Sequence, residues 1–496
     1  MPTPFSFRQH PHIYEINTWV WLEELSARLG RTIALAGVPD SEWDALASQG
    51  FDIIWLMGVW RRSPESRRVL MEDPGNRAAC DLALPGWKPD DFIASPYSVS
   101  AYTVDKRIGT WASLDAVREK LRARGMALFL DFVGNHTSLD HPWTQEHPEF
   151  YVQGAADDFA KDPSAFLRVP SANGDLFLAR GRDPYFPPWK DALQINHFHP
   201  GARAAQIEIL RSIAAHCDGV RCDMAMLLLS DVFQNVWGSR LGGLARPEKE
   251  FWLEVRLAIP RLTLLAEAYW GTEQRLLELG FSFTYDKELY DCVRDCRAWD
   301  ARGRLGASAD YQAHMVRFLE NHDEDRRAVV FPNERLHASG TLMGTLPGAR
   351  FYHQGELEGR KLRIPVTLRI AAPETPDPFS SEFFKKTLRI TKEDVFHTGA
   401  WSLLDVASEG DDTAGNLIIY EWRSKDAWKV IAVNLSGGAA QGRVKLGNRT
   451  SPGQQYKFND ELNEVIYPRD GRELHDVGLF VRLEAGQAHL FDVTPA

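Results

Sequence analysis

The chain has 496 residues, 44% of them hydrophobic and 25% charged, which supports one large core with a smaller one beside it and excludes a mostly disordered polymer. Its formal net charge of -11 comes without any lysine- or arginine-rich block, so it offers no footprint for nucleic acid. The five cysteines, Cys80, Cys217, Cys222, Cys292 and Cys296, lack metal-type spacings and read as reduced thiols; no run is long enough for a membrane span and the amino terminus has no leader pattern, so a cytoplasmic location is expected.

In chain order, the first strand is expected in "HIYEINT" from His12 and the second in "FDIIWLM" from Phe51. An amphipathic helix, "TWASLDAVREKLRARG", starts at Thr110 and closes on a glycine, before a third strand in "MALFLDF" from Met126. Residues 136–195 break the rhythm: they are rich in Pro, Asp and aromatic residues, with no helical period, and read as a small domain inserted after the third strand. Strands resume with "DGVRCDM" from Asp218, "LTLLAEA" from Leu262, "FSFTYD" from Phe281 and "MVRFLE" from Met315, and an eighth is expected within "SGTLMGTLPGARFYHQG" from Ser339. Strand then helix, repeated, predicts an α/β fold, a (β/α)8 TIM barrel made of residues 1–135 and 196–380. An open doubly wound sheet would need a Gly-rich phosphate turn after the first strand, and none is present. Residues 381–496 turn to short alternating strands such as "NLIIYEW" and "WKVIAVNL", which predicts a carboxy-terminal antiparallel β-sandwich.

Barrel enzymes place their chemistry at the carboxyl ends of the strands. The fourth strand carries Arg221 and Asp223 on one face, a pair too costly to bury on an apolar strand unless it is compensated. The third strand exits through Asp131, Asn135 and His136, the fifth through Glu267, and the seventh through Asn321, His322 and Asp323. A single acid after a strand is usually a cap or a solvated loop residue. Four polar exits in barrel order read as one converging site.

The segments "DFVGNH", "GVRCDMA", "AEAYW" and "FLENHD" resemble, in order, the four signature regions of the α-amylase superfamily of retaining glycoside hydrolases and transglycosidases. "SPYSVSAYTVD" and "LPGARFYHQGELEGR" resemble supporting segments of the same family. The resemblance implies Asp223 as nucleophile, Glu267 as general acid/base and Asp323 as a third carboxylate that holds the sugar at the cleaved bond. It further implies that Arg221 holds Asp223 ionised and aimed, that His136 and His322 bond sugar hydroxyls, and that Tyr97 stacks beneath the ring. An arginine beside Asp223 should lower its pKa, while burial and like charge should raise that of Glu267. Trp60, at the exit of the second strand, and Trp189, in the polar insert, are candidate sugar platforms; Trp143 shares the latter's setting. Cys222 faces the outer layer and is expected to be inert.

No cofactor is required by this reading. A structural calcium ion is compatible with Asn135, which matches a family ligand, but the short insert shows no complete oxygen cage. Many α-amylases carry Lys and His three and four residues after the nucleophile; here Met226 and Leu227 stand there, as an expected apolar floor on the acceptor side. The leading expectation is hydrolysis of α-1,4-linked maltooligosaccharides or related α-glucans, with a transglycosidase on the same fold as the alternative and a non-catalytic sugar-binding barrel as a third. No nucleic acid or membrane partner is expected.

Overall fold

The computed structural model describes residues 6–172 and 174–496. Eight parallel strands close on one another: β1 (His12–Asn17), β2 (Ile53–Met57), β3 (Ala127–Val133), β4 (Gly219–Asp223), β5 (Thr263–Ala266), β6 (Phe283–Tyr285), β7 (Met315–Arg317) and β8 (Ala349–His353), with β8 pairing back to β1. Buried on both faces, such strands read as near-continuous apolar runs, and "IIWLM" of β2 is buried throughout. Helices cover the outside, among them Asp40–Gln49, Trp111–Arg122, Pro200–Ala214, Lys287–Arg294 and Asn333–Thr345. The helix at Trp111 starts where the Thr110 side chain accepts from the Ser113 N–H, and it buries Leu114, Val117 and Leu121 against the barrel. The fold is thus a TIM barrel, and its eighth strand occupies only the end of the segment proposed for it. The first part of that segment completes the helix Asn333–Thr345.

Between β3 and β4, His136–Ser138 pairs antiparallel with Ala192–Gln194, and Gln153–Gly154, Phe166–Val169 and Leu176–Ala179 form a separate small sheet. This insert has its own apolar cluster, including Leu139, Phe150, Tyr151, Leu178 and Leu193. Trp143 packs edge-on against Phe150 in that cluster, so its ring serves the insert's packing.

The carboxy-terminal part is a six-stranded antiparallel sheet facing a three-stranded one, over a core that includes Leu417, Ile419, Val430, Phe458 and Val481. Its first strand is Ala400–Leu403. A boundary at residue 381 therefore needs correction, because it falls within the helix Pro378–Thr391. That helix buries Phe383, Phe384 and Leu388 with the barrel core, and it belongs to the barrel. Among the described residues no helix is long and apolar enough to cross a membrane.

The turn into β8 depends on Gly348. Its φ is +102°, and a Cβ there would stand 2.1 Å from the Met315 carbonyl oxygen at the start of β7. Gly348→Ala is predicted to cost about 3 kcal/mol or more. A thermal melt indistinguishable from wild type would contradict that placement.

Candidate active site

The site is organised by Arg221, which is 1% exposed. Its Nη1 donates to Asp223 Oδ1 at 2.8 Å, and its Nη2 forms an ion pair with Glu267 Oε2, also at 2.8 Å. One guanidinium therefore braces two carboxylates from adjacent strands. Backbone bonds set the spacing: the Glu267 N–H donates to the Cys222 carbonyl and the Ala225 N–H to the Glu267 carbonyl, stitching the exits of β4 and β5 together. Met224, just after Asp223, takes the left-handed conformation with φ 43°, which aims its N–H at Glu267 Oε2 at 2.7 Å. The Tyr269 hydroxyl donates to the other oxygen of Glu267 at 2.8 Å.

The second group centres on His322. Its Nδ1 contacts Glu15 Oε1 of β1, while Nε2 lies 3.0 Å from Asp323 Oδ2 and 2.7 Å from the Tyr97 hydroxyl. The Tyr97 ring lies nearly parallel to the His322 ring, 5.3 Å away, and the Arg221 guanidinium lies 5.3 Å from the same tyrosine ring. Asn321 shapes the turn by accepting from the N–H groups of Asp323 and Glu324. Asp323 itself is half exposed toward solvent, unlike the buried Asp223 and Glu267.

Burial pushes the Asp223 carboxyl up to about 7, with the charge of Glu267 adding to the rise and Arg221 opposing it. The lowering expected from a neighbouring arginine does not prevail. Arg221 divides its charge between two carboxylates, and both lie out of water. Burial would also raise Asp323, but the adjacent His322 holds it well below the ordinary carboxylate range. For His322, burial disfavours the imidazolium, yet Asp323 and Glu15 together raise its pKa well above the ordinary value. Asp131 braces the floor: one oxygen accepts from the Trp55 indole at 3.0 Å and the other from the Gly58 N–H at 2.7 Å.

His136 is buried beside the Trp189 ring, 4.9 Å between centroids, and burial lowers its pKa to about 4, so it presents a neutral imidazole at pH 7. Trp189 is partly exposed above it, at the edge of the insert. Trp60 is different. It is 1% exposed, donates its indole N–H to the Asp131 carbonyl and packs against Tyr102 and Trp111, so the platform role expected for it is corrected to packing. Met226 and Leu227 are likewise buried, at 0% and 3% exposure, so they form no floor facing the cleft; the partly exposed residue there is Met224. Cys222 is fully buried, and burial raises its thiol pKa well above the ordinary value.

Asn135 is knitted to Gln194: its Oδ1 accepts from Gln194 Nε2 at 2.9 Å, and its own amide N–H faces Gln194 Oε1 at 3.3 Å. Among the described residues no three His, Cys, Asp or Glu side chains gather as a metal-binding group. An asparagine already paired with a glutamine, without a cluster of carboxylates around it, does not fit a calcium cage of about 6 to 8 oxygens.

Three contributors escaped sequence reasoning. Glu15 gives the same signal as Arg221, a charge in mid-strand, and could have been found by it. Tyr269 follows Glu267 by two residues, within a segment that was singled out. The left-handed Met224 leaves no signature, because methionine has no preference for that conformation.

A closed parallel barrel with an arginine-braced carboxylate pair at the carboxyl ends of its strands has the arrangement that glycosidase chemistry requires. Residues 34–179 match the model of the α-amylase catalytic domain. α-Amylase 3 of Dictyoglomus thermophilum is 24% identical over 391 residues, covering 74% of this chain and 72% of that one. A maltogenic α-amylase of Thermotoga neapolitana superposes with a TM-score of 0.69 at 17% identity, covering 98% of both chains. An α-amylase of Lactobacillus plantarum gives 0.67 at 20% identity, over 98% of this chain and 99% of that one. Over residues 34–179 the chain is thus similar to the α-amylase catalytic domain, and its fold is that of the solved α-amylases.

The raised pKa of Asp223 has a stability consequence. A raised carboxyl contributes stability that is complete below its unfolded value near 3.8 and is lost as the pH climbs through about 7. Asp223→Asn is therefore predicted to melt a few degrees above wild type at pH 8, the gap shrinking toward pH 4. A gap that is constant across pH, or reversed, would contradict the burial of an unfavourable charge.

Proposed function

We propose that the protein is a retaining glycoside hydrolase acting on the α-1,4-glucosidic bonds of maltooligosaccharides or related α-glucans. The observation that carries this reading is the Arg221 brace, which sets Asp223 and Glu267 side by side at the mouth of the barrel. Retention needs two carboxyls about 5–5.5 Å apart, one below the sugar and one beside the leaving oxygen. Two acids held by one guanidinium suit that requirement.

In the first step Glu267 gives its proton to the glycosidic oxygen, the bond from that oxygen to the anomeric carbon breaks, and an Asp223 oxygen bonds to that carbon. In the second, Glu267 takes a proton from water, the water oxygen bonds to the anomeric carbon and Asp223 leaves. Burial and the neighbouring charge of Glu267 raise the Asp223 carboxyl to about 7, so Asp223 competes for the proton that the reaction uses. For reaction that proton must lie on Glu267, and the positive charge developing at the anomeric carbon favours an ionised Asp223. Asp323 and His136 are assigned to sugar hydroxyls, Tyr97 to the face of the ring and Trp189 to the rim.

The test is chromatography of the products of a defined maltooligosaccharide ladder, wild type beside Asp223→Asn. Shorter sugars formed by wild type alone are the expected result. Longer sugars alongside the shorter ones would replace hydrolysis by transglycosylation, and an unchanged ladder with a broad donor panel would overturn the enzymatic reading. The wild-type kcat/KM should also fall about tenfold per pH unit below about 7, as the raised Asp223 carboxyl takes up a proton and can no longer attack the anomeric carbon. A kcat/KM that does not fall on the acid side of neutrality would contradict the raised Asp223 carboxyl.

A further inference from the structure

Glu15 sits in the middle of β1 and is fully buried. Its register partners are Trp55 on β2 and His353 on β8, and its side chain meets His322. One carboxylate oxygen contacts His322 Nδ1, whereas the other has no hydrogen-bond partner. A buried carboxylate left half satisfied is expensive, and a purely structural position would be filled more cheaply by an apolar or amide side chain. What it faces is the opposite edge of the imidazole that holds Asp323.

Asp323 depends on that imidazole. Its carboxylate is half exposed, and among the described residues the side chain paired with it is His322. The indole of Trp55 lies edge-on to the His322 ring, 5.6 Å away, and the Tyr97 ring lies along its face, so neighbours confine the ring plane. They do not fix its protons. A carboxylate on Nδ1 does, because it demands an N–H there and leaves Nε2 to serve Asp323.

We propose that Glu15 is a positioning residue of the active site, acting through His322 to keep Asp323 aimed at the donor sugar. The inference rests on the glycosidase reading above and names a residue outside its reacting set. Glu15 keeps His322 doubly protonated; the imidazolium then orients Asp323 and offsets part of the negative charge in the mouth. The other ionisable groups near this relay are Tyr97, Asp131, Arg221 and Tyr285 inside the barrel. Arg326 and His353 lie on the adjoining cavity wall with His322.

Glu15→Gln preserves shape and can still accept from Nδ1, but it removes the charge. With the fold intact by thermal melt, it is expected to lower kcat on maltooligosaccharides at least about tenfold, with the smaller change in KM. The ring-nitrogen NMR signals of His322 at pH 8 should change from the doubly protonated to the neutral form. Unchanged kcat together with an unchanged His322 signal would overturn the proposal. Should the variant fail to fold, wild type decides alone: a neutral His322 at pH 8 contradicts the relay, and a doubly protonated one supports it. Asp223→Asn is run beside it. If Asp223→Asn abolishes turnover while Glu15→Gln does nothing, this inference alone fails. If neither substitution matters, the glycosidase reading fails with it.

Discussion

One buried guanidinium shared by two carboxylates is the constraint on which the rest of this site depends. Arg221 reaches Asp223 with one nitrogen and Glu267 with the other, at 2.8 Å each. Breaking a buried pair by removing one partner generally costs about 3–5 kcal/mol, because it strands a charge away from water. Here removal would strand two. The brace works only if the exits of β4 and β5 hold a fixed separation, and the backbone bonds between Cys222, Ala225 and Glu267 supply it. Even the left-handed Met224 fits this account: its backbone strain is the means by which one more N–H reaches Glu267.

Around that brace the barrel mouth gathers more acid than base. The buried Glu15, Asp131, Asp223 and Glu267 and the half-exposed Asp323 gather around Arg221 and His322, so acidic groups outnumber basic ones there. Such a surplus opposes folding above neutral pH, yet it matches an oxocarbenium-like transition state, in which positive charge develops at the anomeric carbon. Active sites commonly accept lower stability in return for a prepared electrostatic environment. The barrel accommodates the strain because much of its core lies in the outer shell, where the helix at Trp111 buries Leu114, Val117 and Leu121.

The barrel was legible in the sequence because strands buried on both faces form dense apolar runs, and polar residues that interrupt them at their carboxyl ends stand out. Arg221, Asp223, Glu267 and His322 were visible for that reason. Trp60 misled because an aromatic residue at a strand exit gives the same pattern whether it lines a cleft or fills the space beside Tyr102 and Trp111. The helix at Pro378 was assigned to the wrong part because the alternation beyond it was the stronger signal, although its buried positions follow a helical period. The protonation of Asp223 could not be read at all. It depends on how one arginine divides its charge in three dimensions, and spacing along β4 reveals only one of the two carboxylates.

The most direct test is to trap the proposed covalent intermediate. A slow-reacting 5-fluoro-α-glucosyl fluoride would be incubated with the wild-type enzyme, followed by proteolysis and mass spectrometry of the peptides. The account predicts one added hexosyl unit on the peptide that contains Asp223, sited on that residue. Turnover of the reagent with a label on another residue, or with none at any pH, would contradict the assignment of Asp223 as the nucleophile.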